Sequence, residues 1–263
     1  MHPHLIGLGA WHISTYGAAV AVAYLIGILW LKTQIQSMGL TEDKFWTLIY
    51  MLFFGAIAGG KLLFMAVEWR SYWNGELGML SDFRFGFVFF GGLLGSMAMG
   101  AWAKHRLKFK YLAMADYFGV ALPMGHWLGR LGCLGAGCCY GRPTSLPWGV
   151  RLGGDFSSTP QELWGVPLHP TQVYESLANI AIFSFLLKFV LPEVKSGRVV
   201  QGTVFLGYVF LYSLTRFFNE YFRFDDRGFT LPPFSPSQWL ALACMLAAGA
   251  VMARQGVIKR RKA

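Results

Sequence analysis

Residues Phe45–Val67 read FWTLIYMLFFGAIAGGKLLFMAV and carry a single charged side chain, at Lys61. A helix needs about 20 mostly apolar residues to cross the hydrocarbon core of a bilayer. The stretch is longer than that minimum, so it predicts a transmembrane helix. The mean hydropathy of the whole chain, +0.44, agrees with a membrane protein.

Six further apolar stretches follow the same pattern and bring the predicted number of spans to seven. Their approximate bounds are Tyr16–Leu31, Phe85–Ala103, Tyr111–Leu128, Thr171–Leu191, Val200–Phe222 and Gln238–Ala253. Only 14% of the residues are charged, against roughly 25% in soluble domains, which argues against a soluble enzyme. Four cysteines in 263 residues exclude a disulfide-stapled secreted scaffold. The predicted fold class is an all-α integral membrane protein.

The basic residues fall mainly on one side of this seven-span arrangement. That side collects 14 of the 23 basic residues and four acidic ones, so it carries the whole net charge of +10. By the positive-inside rule it is cytoplasmic, which places the N-terminus outside and the C-terminus inside. A nucleic-acid partner is not expected, because such proteins gather basic residues on a polar folded face. The terminal run Lys259–Lys262 is interpreted as a contact with anionic headgroups.

No repeat and no second domain is apparent, so we expect one transmembrane domain over residues 1–263. The longest connection outside the membrane is about 138–170, between the fourth and fifth helices. Glycine, proline, serine and threonine, which favour turns, are frequent in it. We interpret it as a structured external loop, because aromatic residues such as Trp148 and Trp164 give it apolar groups to pack.

Ionisable residues within membrane spans are functional-site candidates, because each needs a partner or water. In the sixth span Arg216, Glu220 and Arg223 share one helical face at i, i+4 and i+7. Arg216 and Glu220 can pair, and arginine presents a planar donor fork that matches phosphate oxygens. The stripe therefore predicts a site for an anionic headgroup. A structural ion pair with a snorkelling arginine is the alternative.

Two histidines lie beside further polar residues. His126 and Arg130 stand at i and i+4 near the end of the fourth span, where they predict a second phosphate-binding arginine next to a titratable imidazole. His169 precedes Pro170 at the start of the fifth span, and Glu175 follows on the first helical turns. That pair could transfer protons at the outer interface, or Glu175 could be a partner of the helix dipole.

Cys133, Cys138 and Cys139 form a C-x4-C-C pattern that matches no common zinc or thioredoxin motif. Small-residue packing in a glycine-rich turn is the favoured interpretation, because free cysteine behaves as a small hydrophobe. A thiol-redox or metal membrane protein that uses the three thiols is an alternative hypothesis. No metal and no cofactor is expected.

Three stretches of the chain together resemble the signature region of the prolipoprotein diacylglyceryl transferase family. They are Gly129-Arg130-Leu131-Gly132, Tyr140-Gly141-Arg142-Pro143-Thr144 with Pro147-Trp148-Gly149-Val150, and His169-Pro170-Thr171-Gln172-Val173-Tyr174-Glu175. Further matches are Tyr16-Gly17, Gly59-Gly60-Lys61, Phe90-Gly91-Gly92, Asp116 and the Arg216, Glu220 and Arg223 stripe. The resemblance follows nearly the whole chain in order, and the family has the same seven-span, N-out topology.

The resemblance implies a transferase reaction of lipoprotein biosynthesis. Phosphatidylglycerol gives its diacylglyceryl group to the lipobox cysteine thiol of a bacterial preprolipoprotein, a thioether forms and glycerol phosphate leaves. The implied partners are that lipid, preprolipoprotein signal peptides and membrane lipids, and a multi-pass monomer in the bacterial inner membrane is expected. Catalytic roles are assigned to His126, His169 and Glu220. Substrate binding is assigned to Arg130, Arg216, Arg223, Tyr16, Gly141 and Glu175.

The chain also departs from the family pattern. Phe90 stands where the family often has a histidine that is a candidate base, and Cys133 and Cys138 replace an asparagine and a glutamate. We hypothesise that His126, or failing that His169, takes the role of base. A non-catalytic lipid-binding membrane paralogue, which would use the arginines without the chemistry, is the other alternative.

Overall fold

The computed structural model of the protein describes residues 4–8, 11–78, 86–154, 157–224 and 232–256. Most of them are helical. The helices are α1 (Thr15–Thr33), α2 (Ile35–Met38), α3 (Glu42–Val67), α4 (Trp69–Trp73), α5 (Phe89–Leu107), α6 (Tyr111–Ala136), α7 (Thr171–Phe185), α8 (Leu191–Lys195), α9 (Thr203–Asn219) and α10 (Pro236–Gln255). A π-helical turn, Leu186–Val190, joins α7 to α8, so helix is continuous from Thr171 to Lys195.

All seven predicted spans coincide with helices, and within the described residues four of these are long and apolar enough to cross a membrane. They are Thr15–Thr33, Glu42–Val67, Thr171–Lys195 and Pro236–Gln255. This confirms an all-helical membrane protein. The other three spans correspond to α5, α6 and α9, so seven spans and the N-out orientation stay predictions. Phe85, at the start of the third predicted span, and the run Lys259–Lys262 lie outside the described residues.

The chain divides into two compact units, and the smaller one is Lys32–Met114. Its two long helices, α3 and α5, approach through glycines spaced four residues apart, a spacing that lets helix backbones come close. These are Gly55 and Gly59 on α3 and Gly91 and Gly95 on α5. A Cβ atom on Gly55 would lie 2.5 Å from the carbonyl oxygen of Gly95. Glycine is therefore required where the two backbones meet.

The larger unit comprises Met1–Leu31 and Ala115–Ala263. Asp116 on α6 fixes the start of α9, because its carboxylate accepts hydrogen bonds from the backbone N–H groups of Gly202 (2.7 Å) and Val204 (2.8 Å). A helix begins with unpaired N–H groups, and a buried carboxylate satisfies them. The division into units does not test the single transmembrane domain, which stays a prediction.

Helix α7 lies between α6 and α9 in this unit. Ser176 on α7 donates to the carbonyl oxygen of Trp127 on α6 (3.0 Å), and Asn219 at the end of α9 donates to that of Thr171 (3.4 Å). Glu175, one residue before Ser176, is therefore held between residues of α6 and of α9.

Two short antiparallel ribbons accompany the helices, and the sequence did not predict them. The strands β1 (His4–Leu8) and β2 (Trp11–Ser14) form a hairpin that leads directly into α1. In the 138–170 loop, β3 (Val150–Arg151) pairs with β4 (Pro167–Leu168). Leu168 in β4 is fully buried in a small apolar core with Tyr140 and Leu152. A structured loop was predicted, and the described part of it has this core.

Candidate functional site

Five charged side chains from α6, α7, α9 and the turn that follows α9 form a continuous series of ion pairs. Glu175 on α7 contacts Arg130 of α6 through Oε2 and Arg216 of α9 through Oε1, the latter at 3.2 Å. Arg216 also contacts Glu220 at 2.7 Å, and Arg223 lies 3.9 Å from the same Glu220 carboxylate oxygen. Three predicted groups, Arg130, the Arg216 stripe and Glu175, thus come together. We call these five residues the arginine–glutamate cluster.

The arginine–glutamate cluster is shielded from solvent and carries a net positive charge. Glu175 is 2% exposed, and Arg216, Glu220 and Arg223 are also buried. The Arg130 side chain is 15% exposed. Three guanidinium groups and two carboxylates leave one positive charge. Because burying a charge without a partner is expensive, the cluster favours one further anion.

The geometry leaves donor capacity inside the cluster. The pairs from Arg130 and Arg216 to Glu175 are ion pairs by distance, but Arg130 Nε and Arg216 Nη1 make no aligned hydrogen bond within the described residues. Both nitrogens are buried. Both nitrogens face the Glu175 carboxylate, so an oxyanion would accept from other N–H groups of the two guanidiniums, each of which carries five.

His126 is enclosed by two tyrosines of α9. Its Nδ1 lies 3.2 Å from the hydroxyl of Tyr208, and its Nε2 lies 3.4 Å from the hydroxyl of Tyr212. Tyr212 is also within hydrogen-bond reach of Arg130. Because both ring nitrogens already have partners, His126 is better placed to orient Tyr212 and Arg130 than to take a proton from a substrate.

His169 has a more open environment. It lines a cavity of about 700 Å³ in the larger unit, together with Glu175, Tyr174 and apolar residues. Its Nδ1 lies 3.2 Å from the hydroxyl of Tyr174, which in turn accepts a hydrogen bond from the indole N–H of Trp148 at 2.9 Å. This series holds the imidazole at the cavity wall.

The remaining lining of this cavity is mostly apolar: Leu146, Trp148, Ala178, Leu214, Thr215, Phe218, Asn219 and Phe222. Phe218 and Phe222 are 57% and 43% exposed, so the cavity is an open groove on that side. We call it the apolar groove. Glu175 of the arginine–glutamate cluster also lines it, so an amphipathic molecule would find apolar and charged surfaces side by side.

Gly141 contacts its neighbours through backbone atoms and does not line the cavity. Its N–H donates to the carbonyl oxygen of His169 at 3.1 Å, and it bridges to Arg223 on its other side. A Cβ atom at this position would lie 2.6 Å from that same carbonyl oxygen. Gly141 therefore lets three backbone segments meet beside the cluster, and only glycine fits there.

Tyr16 begins α1 close to the end of α6. A Cβ atom on Gly132 would lie 3.5 Å from the Tyr16 ring and 2.7 Å from Ala19 Cβ, so the two helices pack tightly here. Tyr16 is 47% exposed, and its hydroxyl lies near Arg130 and the three clustered cysteines. It is thus at the border of the cluster, where a substrate could reach it.

The three cysteines predicted as packing residues also lie beside the cluster. Their sulfur atoms are all within 4.8 Å of one another, and Arg130 Nη1 donates to Cys139 Sγ at 3.8 Å. We call this group the thiol cluster.

The sequence reasoning missed several residues of the site. Tyr208 and Tyr212 lie in an apolar span, where aromatic side chains read as ordinary packing. Their spacing of four residues puts them on one helical face, which was the one available signal. Ser235, which donates to Glu220 at 3.0 Å, lies in the connection between two predicted spans and gave no signal.

Comparison with known proteins shows the family of the chain. The family model described as prolipoprotein diacylglyceryl transferase matches residues 3–254. A phosphatidylglycerol–prolipoprotein diacylglyceryl transferase of Clostridium tetani (strain Massachusetts / E88) is 34% identical over 244 residues, covering 92% of this chain and 93% of the relative. One of Geobacter sulfurreducens (strain ATCC 51573 / DSM 12127 / PCA) is 31% identical over 265 residues, covering 99% and 96%.

A third relative, the phosphatidylglycerol–prolipoprotein diacylglyceryl transferase 2 of Clostridium perfringens (strain 13 / Type A), is 30% identical over 250 residues and covers 95% of this chain and 93% of its own. The match extends over nearly the full length of both chains in each case. The resemblance predicted from the sequence motifs is thereby confirmed. The chain belongs to the prolipoprotein diacylglyceryl transferase family.

Proposed function

We propose that the protein transfers the diacylglyceryl group of phosphatidylglycerol to the lipobox cysteine thiol of bacterial preprolipoproteins. The thiol sulfur bonds to the terminal glyceryl carbon, the bond from that carbon to the phosphate oxygen breaks, and glycerol phosphate leaves. The names of the family relatives include both substrates, phosphatidylglycerol and prolipoprotein. The observation that supports the reaction best is the buried arginine–glutamate cluster, with its single excess positive charge.

The phosphodiester of phosphatidylglycerol matches that cluster. It carries one negative charge, which balances the excess charge, and its oxygens can accept from guanidinium N–H groups of Arg130 and Arg216 other than those that face Glu175. As the carbon–oxygen bond breaks, a second negative charge develops on the leaving phosphate. Donors already aimed at developing charge stabilise a transition state more than a ground state. Glu220 then acts by holding Arg216 and Arg223 in position.

The apolar groove suits the hydrocarbon part of a substrate. Its open side is lined by the exposed Phe218 and Phe222, and Glu175 is also part of its wall. A lipid whose phosphate occupies the cluster could lay an acyl chain in the groove. Tyr16, at the border of the cluster, is proposed to contact the substrate there.

We assign the uptake of the thiol proton to His169 and an orienting role to His126. A thiol reacts as its thiolate, so the reaction needs a proton acceptor. His169 lines the groove, whereas both nitrogens of His126 face tyrosine hydroxyls. Phe90 replaces the histidine that is a candidate base in the family, so the base in this chain must be another residue. The more open environment of His169 favours it over His126.

The membrane arrangement that we propose is a seven-span monomer in the bacterial inner membrane, with the N-terminus outside. Four helices of sufficient length and apolarity support a membrane location, and the one-sided net charge of +10 supports the orientation. The site then faces the outer leaflet, where the lipobox of an exported preprolipoprotein becomes accessible.

A transfer assay tests the proposal. Purified protein is reconstituted in vesicles that contain phosphatidylglycerol, and a lipobox peptide is supplied, with its cysteine-to-serine form as control. Mass spectrometry should find the diacylglyceryl thioether on the cysteine peptide alone, with an equal amount of glycerol phosphate released. Folded protein that binds phosphatidylglycerol without giving thioether would contradict the proposal and favour a lipid-binding paralogue.

A further inference from the structure

Three of the four cysteines of the chain converge on one point. Cys133 lies in the last turn of α6, and Cys138 and Cys139 follow in the connection to the loop. All three sulfur atoms lie within 4.8 Å of one another, and none is in a disulfide. The fourth, Cys244, lies in α10 and is not part of the group. Packing alone does not require three thiols to face each other.

The backbone that presents these thiols is held in an unusual conformation. Gly137 has a φ of 70° and Cys139 a φ of 62°, and the second value is unfavourable for a residue with a Cβ atom. Two left-handed residues turn the chain back on α6, so Cys138 Sγ comes within 3.6 Å of the Cys133 carbonyl oxygen. A strained residue at a site boundary points to a required side chain.

Side-chain donors fix this turn at three consecutive residues. The carbonyl oxygens of Gly137, Cys138 and Cys139 accept from Thr159, Gln172 and Thr171, each at 2.6 Å. Thr171 and Gln172 begin α7, the helix that carries Glu175. The thiol cluster is therefore rigidly joined to the arginine–glutamate cluster.

The exposure of the thiol cluster is uneven. Cys133 is buried, whereas Cys138 and Cys139 are half-buried, so one side of the group can be reached. Arg130, which is part of the arginine–glutamate cluster, donates to Cys139. The accessible side thus adjoins the place where the phosphodiester is proposed to bind.

Three thiols with one open side match a zinc site of the catalytic kind. Zinc binds thiolate sulfur at about 2.3 Å in tetrahedral geometry, which sets sulfur–sulfur separations of about 3.8 Å. Contraction from the observed separations needs shifts of about 1 Å or less. Catalytic zinc sites keep three protein ligands and leave the fourth position open. A thiol that binds zinc loses its proton.

We propose that Cys133, Cys138 and Cys139 bind one zinc ion whose open position takes the thiol of the acceptor cysteine. This inference rests on the proposed function and names how the acceptor is activated. The acceptor thiol binds the metal as a thiolate and His169 takes up its proton. The sulfur then bonds to the glyceryl carbon, the carbon–oxygen bond breaks, and its electron pair leaves with the phosphate. No atom is oxidised or reduced.

Metal analysis of the purified full chain is the first test. After incubation with Zn²⁺ and removal of the excess, the wild type should retain an equimolar amount of zinc. Cys133→Ser, Cys138→Ser and Cys139→Ser should each lose it, and Cys244→Ser is the matched control that keeps it. Zinc absent from the wild type, zinc retained by all three variants, or copper in its place would overturn the proposal.

Cobalt substitution tests the open position in the unmodified chain. With Co²⁺ in place of zinc, thiolate ligation gives a charge-transfer absorption band. The lipobox peptide should intensify that band, because a fourth sulfur joins the metal, and its cysteine-to-serine form should leave it unchanged. An unchanged band with both peptides would contradict an acceptor site on the metal.

The transfer assay separates this inference from the proposed function. Removal of zinc by a chelator should lower thioether formation by roughly 100-fold or more, the usual size of a lost proton-transfer contribution, and added zinc should restore it. Full transfer by metal-free protein would overturn the zinc site and leave the proposed function standing. Zinc binding with the expected cobalt response but no transfer would contradict the proposed function alone.

Discussion

Glu175 contacts two arginines from two other helices and is almost fully buried. A buried carboxylate between two guanidinium groups reduces the repulsion between them. The whole cluster still has one positive charge in excess, because it contains three arginines and two glutamates. The sequence placed Arg216 and Glu220 on one helical face, and that pair is present at 2.7 Å. It could not show that Glu175 joins Arg130 to Arg216, because that contact depends on how α6, α7 and α9 pack.

The two tyrosines around His126 allow a matched comparison. Tyr208→Phe and Tyr212→Phe each remove one hydroxyl beside the imidazole, but only Tyr212 also reaches Arg130. A hydrogen bond to a charged group contributes about 1.5–3 kcal/mol. Tyr212→Phe should therefore raise the KM for phosphatidylglycerol roughly tenfold or more, and Tyr208→Phe should change it much less. Steady-state kinetics in vesicles measures both, and equal effects would exclude an orienting role through Tyr212.

His169→Gln tests the assigned proton acceptor. Glutamine keeps polarity and similar size but cannot take up a proton, so kcat should fall by about 100-fold to 10,000-fold. His105→Gln, an exposed position at the end of α5, is the matched control and should keep full activity. Thermal unfolding in detergent shows whether each variant is folded. A folded His169→Gln protein with wild-type kcat would remove His169 from the role.

At the level of elements, hydrophobic length predicted where helices occur, and all seven predicted spans coincide with helices. Length and charge distinguish the other three helices from the four long apolar ones. Helix α9 has only 17 residues. Charged side chains lower the hydropathy of α5, which ends in Lys104, His105 and Arg106, and of α6, which contains Asp116 and Arg130. The ribbon of β3 and β4 could not be predicted, because each strand has two residues. The sequence offered the three clustered thiols only as an alternative to packing, because C-x4-C-C brings the sulfurs together through the left-handed conformations of Gly137 and Cys139.

The contact between α3 and α5 predicts a sharp sensitivity to size. A Cβ atom on Gly95 would lie 2.9 Å from Gly59 Cα and closer still to the Gly55 carbonyl oxygen. Gly95→Ala should therefore lower the free energy of unfolding by about 1–3 kcal/mol. Gly27→Ala in α1 is the control, because a Cβ atom there meets nothing within 4 Å and alanine favours a helix. Denaturation in detergent compares them, and a Gly95→Ala protein as stable as Gly27→Ala would contradict this packing.

At the level of the whole molecule, the expected orientation in the membrane follows from the distribution of charge and not from the fold. The net charge of +10 lies on one predicted side, so a fluorescent protein fused to the C-terminus should fold in the cytoplasm. An export-dependent phosphatase fused after the 138–170 loop should be active. The opposite pattern would contradict the seven-span, N-out arrangement. An even number of spans would instead place the C-terminal reporter on the same side as the N-terminus.

The central claim is that the buried, positively charged cluster holds the phosphodiester during transfer. The most direct measurement is thioether formation by Arg130→Gln and Arg216→Gln in phosphatidylglycerol vesicles, beside Arg198→Gln, whose side chain makes an exposed ion pair with Glu193. Losing one donor to developing charge typically costs about 100-fold to 1,000-fold in rate. We predict that loss for the first two variants, once thermal unfolding shows them folded, and wild-type activity for Arg198→Gln. Folded Arg130→Gln and Arg216→Gln proteins that transfer at the wild-type rate would contradict the claim.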